Sequence, residues 1–257
     1  MTHAQTLRVE RAEQCVVVTL DRPGARNAID QRMVDELHDV CGELERGPRV
    51  LVIAGSDGVF ASGADIRELR DRTASDALAG INTRLFMRIA ALPMPVIAAV
   101  DGWALGGGAE LAYAADLRIG TPRTVFGNPE TSLGIIAAAG ASWRLRELVG
   151  ESVAKQMLLA GRRLDAQESL ALGLLGEVVD PSELMAAARR LAHRIASMDA
   201  AATIATKAVL AAARDEHPDI DLRHQAALFE SPEKHRRMTE FLERRTRSQQ
   251  AGTGGTT

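Results

Sequence analysis

The sequence has few cysteines and few aromatic residues. Of its 257 residues 2 are cysteine, and Phe, Trp and Tyr together make up 3%. Cys15 and Cys41 lack CxxC spacing and are too few for a disulfide framework, so they fit a reducing cytosol and a cytoplasmic location. The core must be built from Ala, Val, Ile and Leu, which favours helices packed closely against a sheet.

The sequence also lacks an excess of positive charge. Lys and Arg total 31 against 34 for Asp and Glu, a net charge of −3, so we expect no nucleic-acid partner. The apolar run at 95–100 is interrupted by Asp101, and residues 1–13 contain no signal-peptide core, so we expect no membrane association. The six histidines show no paired spacing, and we predict no metal site.

Buried strands and amphipathic helices predict an α/β protein. Apolar β-branched runs predict strands at 16–20, 50–54 and 96–100. Helical spacing predicts a helix capped by Asp30, and further helices at 76–91 and 138–148.

Strands are concentrated in the first half of the chain and helices in its last third. We therefore predict an α/β core over residues 1–195 and a helical C-terminal region over 196–247. The Gly/Thr-rich tail, 248–257, is expected to be disordered.

Three consecutive glycines, Gly106–Gly108, lie between a predicted strand and a predicted helix. Free N–H groups at such a helix start can bind a negative oxygen. A dinucleotide fingerprint would need Gly or Ala where Leu111 stands, and a phosphate loop would need a nearby Lys. Close packing of the strand against the helix explains the glycines equally well.

A second loop of small residues, 60–65, follows the strand at 50–54. An ordinary turn at the end of a strand explains this loop when it is taken alone. Ser62 lacks a GxSxG frame and a histidine nearby in the sequence, which argues against a serine hydrolase.

Two carboxylates follow short apolar segments of the predicted sheet. Glu110 is one turn into the glycine-led helix, and Glu130 follows the turn 127–129. Each alone is typical of a surface acid. Together, facing one oxyanion site, they could supply acid and base chemistry on a bound carbonyl compound.

Several motifs, in order along residues 8–245, resemble the enoyl-CoA hydratase/isomerase (crotonase) superfamily. They are Leu20–Pro23, Phe60–Ile66, Pro95–Gly102, Ala104–Leu111, Phe126–Glu130, Ala160–Arg162 and Ala171–Leu174. The resemblance implies a spiral of ββα units with a C-terminal helical region that supports homotrimers or dimers of trimers.

The resemblance also implies an acyl-CoA substrate, and no cofactor beyond the coenzyme A that this substrate carries. The backbone N–H groups of Ala64 and Gly107 would hold the thioester oxygen. Glu110 and Glu130 match the two catalytic glutamates of the hydratases, which add water syn across the 2,3 double bond of a 2-enoyl-CoA. Further substrate-binding residues are predicted to be Ala61, Gly63, Asp65, Ile66, Gly106, Arg26, Ala138 and Trp143.

A departure from the family pattern keeps other functions open. The run 137–144, with Ala137 and Trp143, departs from the Pro- and Gly-rich run that hydratases usually have, so isomerisation, thioester hydrolysis, C–C cleavage or decarboxylation are alternatives. An acyl-CoA- or RNA-binding relative without activity is a third reading, against which the acid pair argues. Arg26 could meet the CoA phosphates or lie on a solvated surface.

Overall fold

A computed structural model describes residues 6–253, with side chains through residue 245. The chain divides into two compact units, Met1–Ser197 and Met198–Thr257. The predicted boundary after residue 195 falls beside this division. Of the predicted tail, 248–253 continue the last helix with side chains that are not described, and 254–257 lie outside the described residues.

The first unit contains all the described strands and most of the helices. The strands are β1 (Leu7–Arg11), β2 (Cys15–Leu20), β3 (Val50–Gly55), β4 (Val96–Val100), β5 (Trp103–Leu105), β6 (Leu117–Gly120), β7 (Val125–Gly127), β8 (Leu164–Asp165) and β9 (Glu177–Val178). The helices are α1 (Gln31–Arg46), α2 (Ile66–Asp71), α3 (Ala74–Ala79), α4 (Ile81–Ala90), α5 (Gly107–Ala114), α6 (Arg146–Val149), α7 (Glu151–Ala160), α8 (Ala166–Ala171) and α9 (Leu184–Ala196).

A six-stranded sheet in the order β1-β2-β3-β4-β6-β9 forms the centre of this unit. Only the β1–β2 pair in it is antiparallel. The predicted strands β2, β3 and β4 are almost entirely buried, as expected for parallel strands covered on both faces. Because β3 and β4 run parallel in register, Leu51 beside Val96, the loops that follow them leave the same edge of the sheet.

A smaller sheet, β5-β7-β8, carries the glycine run and Glu130. Parallel pairing of Ala104 with Phe126 sets the ends of β5 and β7 side by side. An isolated bridge between Ala61 and Ala104 joins the 60–65 loop to the same place. The fold thereby gathers three segments that are far apart in the sequence.

Two predicted helices differ in the structure. The helix predicted over 76–91 is two helices, α3 and α4, because Gly80 lies between them in the left-handed region at φ +64°. The helix predicted over 138–148 begins three residues later, after Gly140 at φ +143°. Its first turn is the π-helical segment Ala141–Leu145, and α6 follows. Helical spacing in the sequence does not record these interruptions.

Arg118 is buried and binds the backbone of several segments. Its guanidinium donates to the carbonyls of Leu174 at 2.7 Å, Ala115 at 2.5 Å and Ala112 at 3.3 Å. The last two carbonyls belong to the C-terminal end of α5, where a cation is favoured. Burial lowers the pKa of Arg118 to about 10, so it stays charged at neutral pH.

We expect Arg118→Met to lower the free energy of unfolding by roughly 3 kcal/mol, because it leaves buried carbonyls without a donor. Urea unfolding followed by circular dichroism measures this loss. Arg70→Met is the matched control, since the Arg70 side chain is 74% exposed. Equal unfolding midpoints for the two variants would contradict the assigned role of Arg118.

The second unit is helical, with α10 (Ala200–Ala211), α11 (Asp219–Phe229) and α12 (Pro232–Thr253). Asp199 caps α10 by accepting a hydrogen bond from the N–H of Ala202 at 2.7 Å. Among the described residues of both units, no helix has the length and apolar character needed to cross a membrane.

Candidate active site

One cavity of about 510 Å³ lies in the first unit where the two sheets meet the helices α2–α5. Its polar lining includes Glu110 and Glu130. Much of the remaining wall is aliphatic, contributed by Ile66, Leu69, Ile81, Leu133, Ile135 and Ile136. The cavity therefore offers two acids beside a surface suited to an apolar chain.

Two backbone N–H groups with no acceptor among the described residues, those of Ala64 and Gly107, lie close together at this cavity. A Cβ added to Gly107 would lie 3.4 Å from the nitrogen of Ala64, so the two amides are close neighbours. Within residues 6–253 neither of them donates a hydrogen bond to the protein. Gly107 is the first residue of α5, where the helix dipole favours a negative charge. The pair has the composition of an oxyanion hole.

The three glycines are small for three different reasons. Gly106 lies at φ +52°, where side chains are disfavoured, and a Cβ there would lie 3.2 Å from Oε1 of Glu130. Gly107 leaves open the space beside Ala64. Gly108 points away from the cavity, and its Cβ would lie 2.3 Å from the carbonyl oxygen of Ala61. Close packing therefore explains Gly108, and the anion site stays a prediction that the open space at Gly107 permits.

Gly108→Ala should destabilise the fold by roughly 1–3 kcal/mol, because the added methyl overlaps the backbone of Ala61. The expected observation is a lower urea midpoint. Gly24→Ala is the control, since no atom lies within 4 Å of the added Cβ. An unchanged midpoint for Gly108→Ala would show that α5 does not depend on this close approach.

Glu110 is held by backbone N–H groups of the 137–144 run. Its Oε1 accepts hydrogen bonds from the N–H of Ala139 at 2.8 Å and of Ala141 at 3.1 Å. The side chain is 4% exposed. Its position on α5 and these two amides fix the carboxylate at the cavity.

Glu130 is held by a chain of buried polar groups. Its Oε1 accepts from Nδ2 of Asn128 at 3.4 Å, and Oδ1 of Asn128 accepts from the hydroxyl of Tyr113 at 3.1 Å. Oε2 of Glu130 is buried and has no hydrogen-bond partner among the described residues. That oxygen therefore keeps its full hydrogen-bonding capacity.

Both acids have raised pKa values. Burial raises the pKa of Glu110 to about 7. The hydrogen bonds from the amides of Ala141 and Ala139 lower the pKa, and the negative charge of Glu130 raises it further. Burial also raises the pKa of Glu130 above its usual range. Because Glu110 titrates near neutral pH, its carboxyl group can act as either acid or base.

The structure brings most of the predicted site residues to the cavity. Those that line it are Gly63, Ala64, Ile66, Gly106, Gly107, Glu110, Glu130 and Ala138. Those that do not are Arg26, Ala61, Asp65 and Trp143.

Each of these four residues has another environment in this chain. Ala61 is buried against Gly108, and Asp65 caps α2 and pairs with Arg22 at 3.2 Å. Arg26 is exposed in the turn before α1, and Trp143 is 41% exposed on the π-helical turn.

Asn82 lines the cavity and was not predicted from the sequence. It stands on α4 in the same helical register as the buried residues Leu85, Phe86 and Ile89. A polar residue at helical spacing on an apolar face is the signal that could have identified it.

The family of enoyl-CoA hydratases/isomerases matches residues 10–250. The short-chain-enoyl-CoA hydratase of Clostridium acetobutylicum is 40% identical over 194 residues, covering 74% of each chain. The crotonyl-CoA hydratase of Syntrophomonas wolfei is 36% identical over 252 residues, covering 94% of this chain and 96% of that protein. The crystal structure of an enoyl-CoA hydratase from Bacillus anthracis superposes with a TM-score of 0.88 at 28% identity, covering 93% and 97%.

Proposed function

The chain belongs to the enoyl-CoA hydratase/isomerase family, and we propose on this premise that it adds water to 2-enoyl-CoA thioesters. The product is a 3-hydroxyacyl-CoA, and the reaction is a reversible syn addition. The observation that carries the proposal is that both acids, Glu110 and Glu130, line one cavity with the free amides of Ala64 and Gly107.

The oxyanion hole polarises the substrate. The thioester oxygen accepts from the N–H groups of Ala64 and Gly107, which makes the β-carbon electrophilic and stabilises the enolate formed at the α-carbon. Such donors are fixed in place before the reaction, so they need no reorganisation as charge develops on the oxygen.

The two acids divide the proton transfers. Glu110, ionised and held by the amides of Ala139 and Ala141, takes a proton from the water that attacks the β-carbon. Glu130 delivers a proton to the α-carbon through its free oxygen. Acids and backbone amides supply the whole reaction, so the proposal needs no metal ion or separate cofactor.

The departure at 137–144 does not remove this machinery. The run contributes Ala139 and Ala141 through backbone N–H groups, which any residue except proline supplies. Its side chains can contact the acyl chain through Ala138, which lines the cavity. The alternative reactions of the family need only one acid. They would not explain why this chain has both Glu110 and Glu130.

Self-association into a homotrimer or a dimer of trimers is also part of the proposal. The C-terminal helical region supports it, because large apolar side chains are exposed there: Met198, Leu210, Leu222, Phe229, Met238, Phe241 and Leu242. Size-exclusion chromatography with light scattering measures the mass. The cysteine content supports a cytoplasmic site of action.

The direct test is turnover of purified protein with 2-enoyl-CoAs of short and medium chain length. Hydration removes the conjugation of the thioester, and the loss of its ultraviolet absorbance gives the rate. A folded protein that binds acyl-CoA but hydrates no chain length would refute the proposal. Formation of a 3-enoyl-CoA or free CoA instead would identify one of the alternative reactions.

A further inference from the structure

The side chain of Asn82 cannot be explained by packing. Its Oδ1 is buried and has no hydrogen-bond partner among the described residues, and Nδ2 donates to none of them either. A buried carbonyl without a donor costs folding free energy, and an apolar residue would avoid that cost on a face shared with Leu85, Phe86 and Ile89. A residue kept at such a cost in a cavity wall points to a role with the ligand.

The amide nitrogen of Asn82 lies beside the oxyanion hole. The point where Gly107 would carry a Cβ is 3.4 Å from Nδ2 of Asn82 and 3.4 Å from the backbone nitrogen of Ala64. The same point adjoins the backbone nitrogen of Gly107, because a Cβ and that nitrogen share one Cα. Three N–H donors therefore lie close to Gly107 at the cavity.

We infer that Asn82 is a third donor of the oxyanion hole. This inference rests on the proposed function and adds to it a side chain that touches the reacting thioester. An enolate oxygen carries enough lone pairs to accept three hydrogen bonds, so one oxygen bound beside Gly107 can accept from all three donors. The third bond strengthens as negative charge moves onto the oxygen, so it acts mainly in the transition state.

The test compares Asn82→Ala with Asn82→Asp. Alanine removes the donor, and aspartate keeps the shape but places an acceptor and a negative charge beside the oxyanion. We expect kcat to fall about 10–100-fold for Asn82→Ala and further for Asn82→Asp, with KM changed much less. Met87→Ala is the control on the same helix, because Met87 is 59% exposed and does not line the cavity.

A spectroscopic measurement separates polarisation of the substrate from a merely structural effect. The absorbance maximum of a conjugated aryl-enoyl-CoA moves to longer wavelength when its thioester oxygen is hydrogen-bonded. We expect wild-type protein to show this shift and Asn82→Ala to lose much of it while still binding the probe.

Three results overturn the inference. They are unchanged kcat in both variants, an intact spectral shift in Asn82→Ala, or near-normal kcat in Asn82→Asp with a loss in Asn82→Ala. The last would mean that Asn82 accepts a hydrogen bond from the substrate. Absence of hydration by the wild-type protein would instead refute the proposed function, so the two failures are distinguishable.

Discussion

Replacing Glu110 by Gln is expected to lower kcat for hydration about 10²–10⁴-fold while the protein still binds acyl-CoA. Glutamine has the size of glutamate, and its single oxygen can still accept from Ala139 and Ala141. What it cannot do is take a proton from water. Steady-state kinetics gives kcat, and isothermal titration with the product gives the binding constant.

The same substitution is expected to stabilise the fold at alkaline pH. The pKa of Glu110 is raised to about 7 in the folded protein, so folding favours its protonated form. That contribution is fully present below the ordinary carboxyl pKa and is lost as pH rises through about 7. Above this range Glu110→Gln should be more stable than wild type by up to about 3 kcal/mol, and at about pH 4 nearly equal to it.

Glu151→Gln is the matched control for both measurements, because the Glu151 side chain is 68% exposed. Near-normal turnover in Glu110→Gln would mean that another group activates the water. A stability difference that does not grow between pH 5 and pH 8 would mean that Glu110 is not buried as a charge.

The second large effect is expected for Glu130→Gln. The free oxygen that delivers a proton to the α-carbon is replaced by an amide, so kcat should again fall about 10²–10⁴-fold. The contact with Asn128 can be kept by the remaining oxygen, so the fold and the acyl-CoA affinity should be preserved.

Deuterium exchange distinguishes the roles of the two acids. Exchange of the α-proton of a saturated acyl-CoA in heavy water needs the group that faces the α-carbon and no attacking water. We expect Glu130→Gln to lose this exchange and Glu110→Gln to keep it. The reverse pattern would exchange the two assignments, and loss in both variants would mean that the acids act as one unit.

The central strands of the large sheet could be predicted because each is a continuous run of apolar, β-branched residues. Runs such as 50–54 are continuous, β-branched and bounded by turn residues, and they are buried strands in the structure. The short strand Trp103–Leu105 was missed because its partners, Phe126 and Ala61, are distant in the sequence. Pairing between segments so far apart in the sequence is set by the whole fold and cannot be read from a local pattern.

The site could be predicted as a set of motifs but not as a geometry. Glu110 and Glu130 became candidates through their places after apolar segments and their match to the family's motifs, and the structure brings both to the cavity. Trp143 was expected at the substrate because it interrupts a family motif, and in the structure it is 41% exposed and does not line the cavity. Helical spacing could single out Asn82 as a polar residue on an apolar face, but its place beside Gly107 depends on which face of α4 packs there.

The anchoring of Glu110 through the amides of Ala139 and Ala141 also bears on how this site can evolve. The proposed base, Glu110, is carried by α5 and oriented by the 137–144 run, and the orienting contacts come from backbone amides that do not depend on the side chains of Ala139 and Ala141. Mutations in the 137–144 run can therefore remodel the acyl pocket while the base keeps its orientation. We therefore expect substrate preference and acid–base chemistry to vary separately in this site.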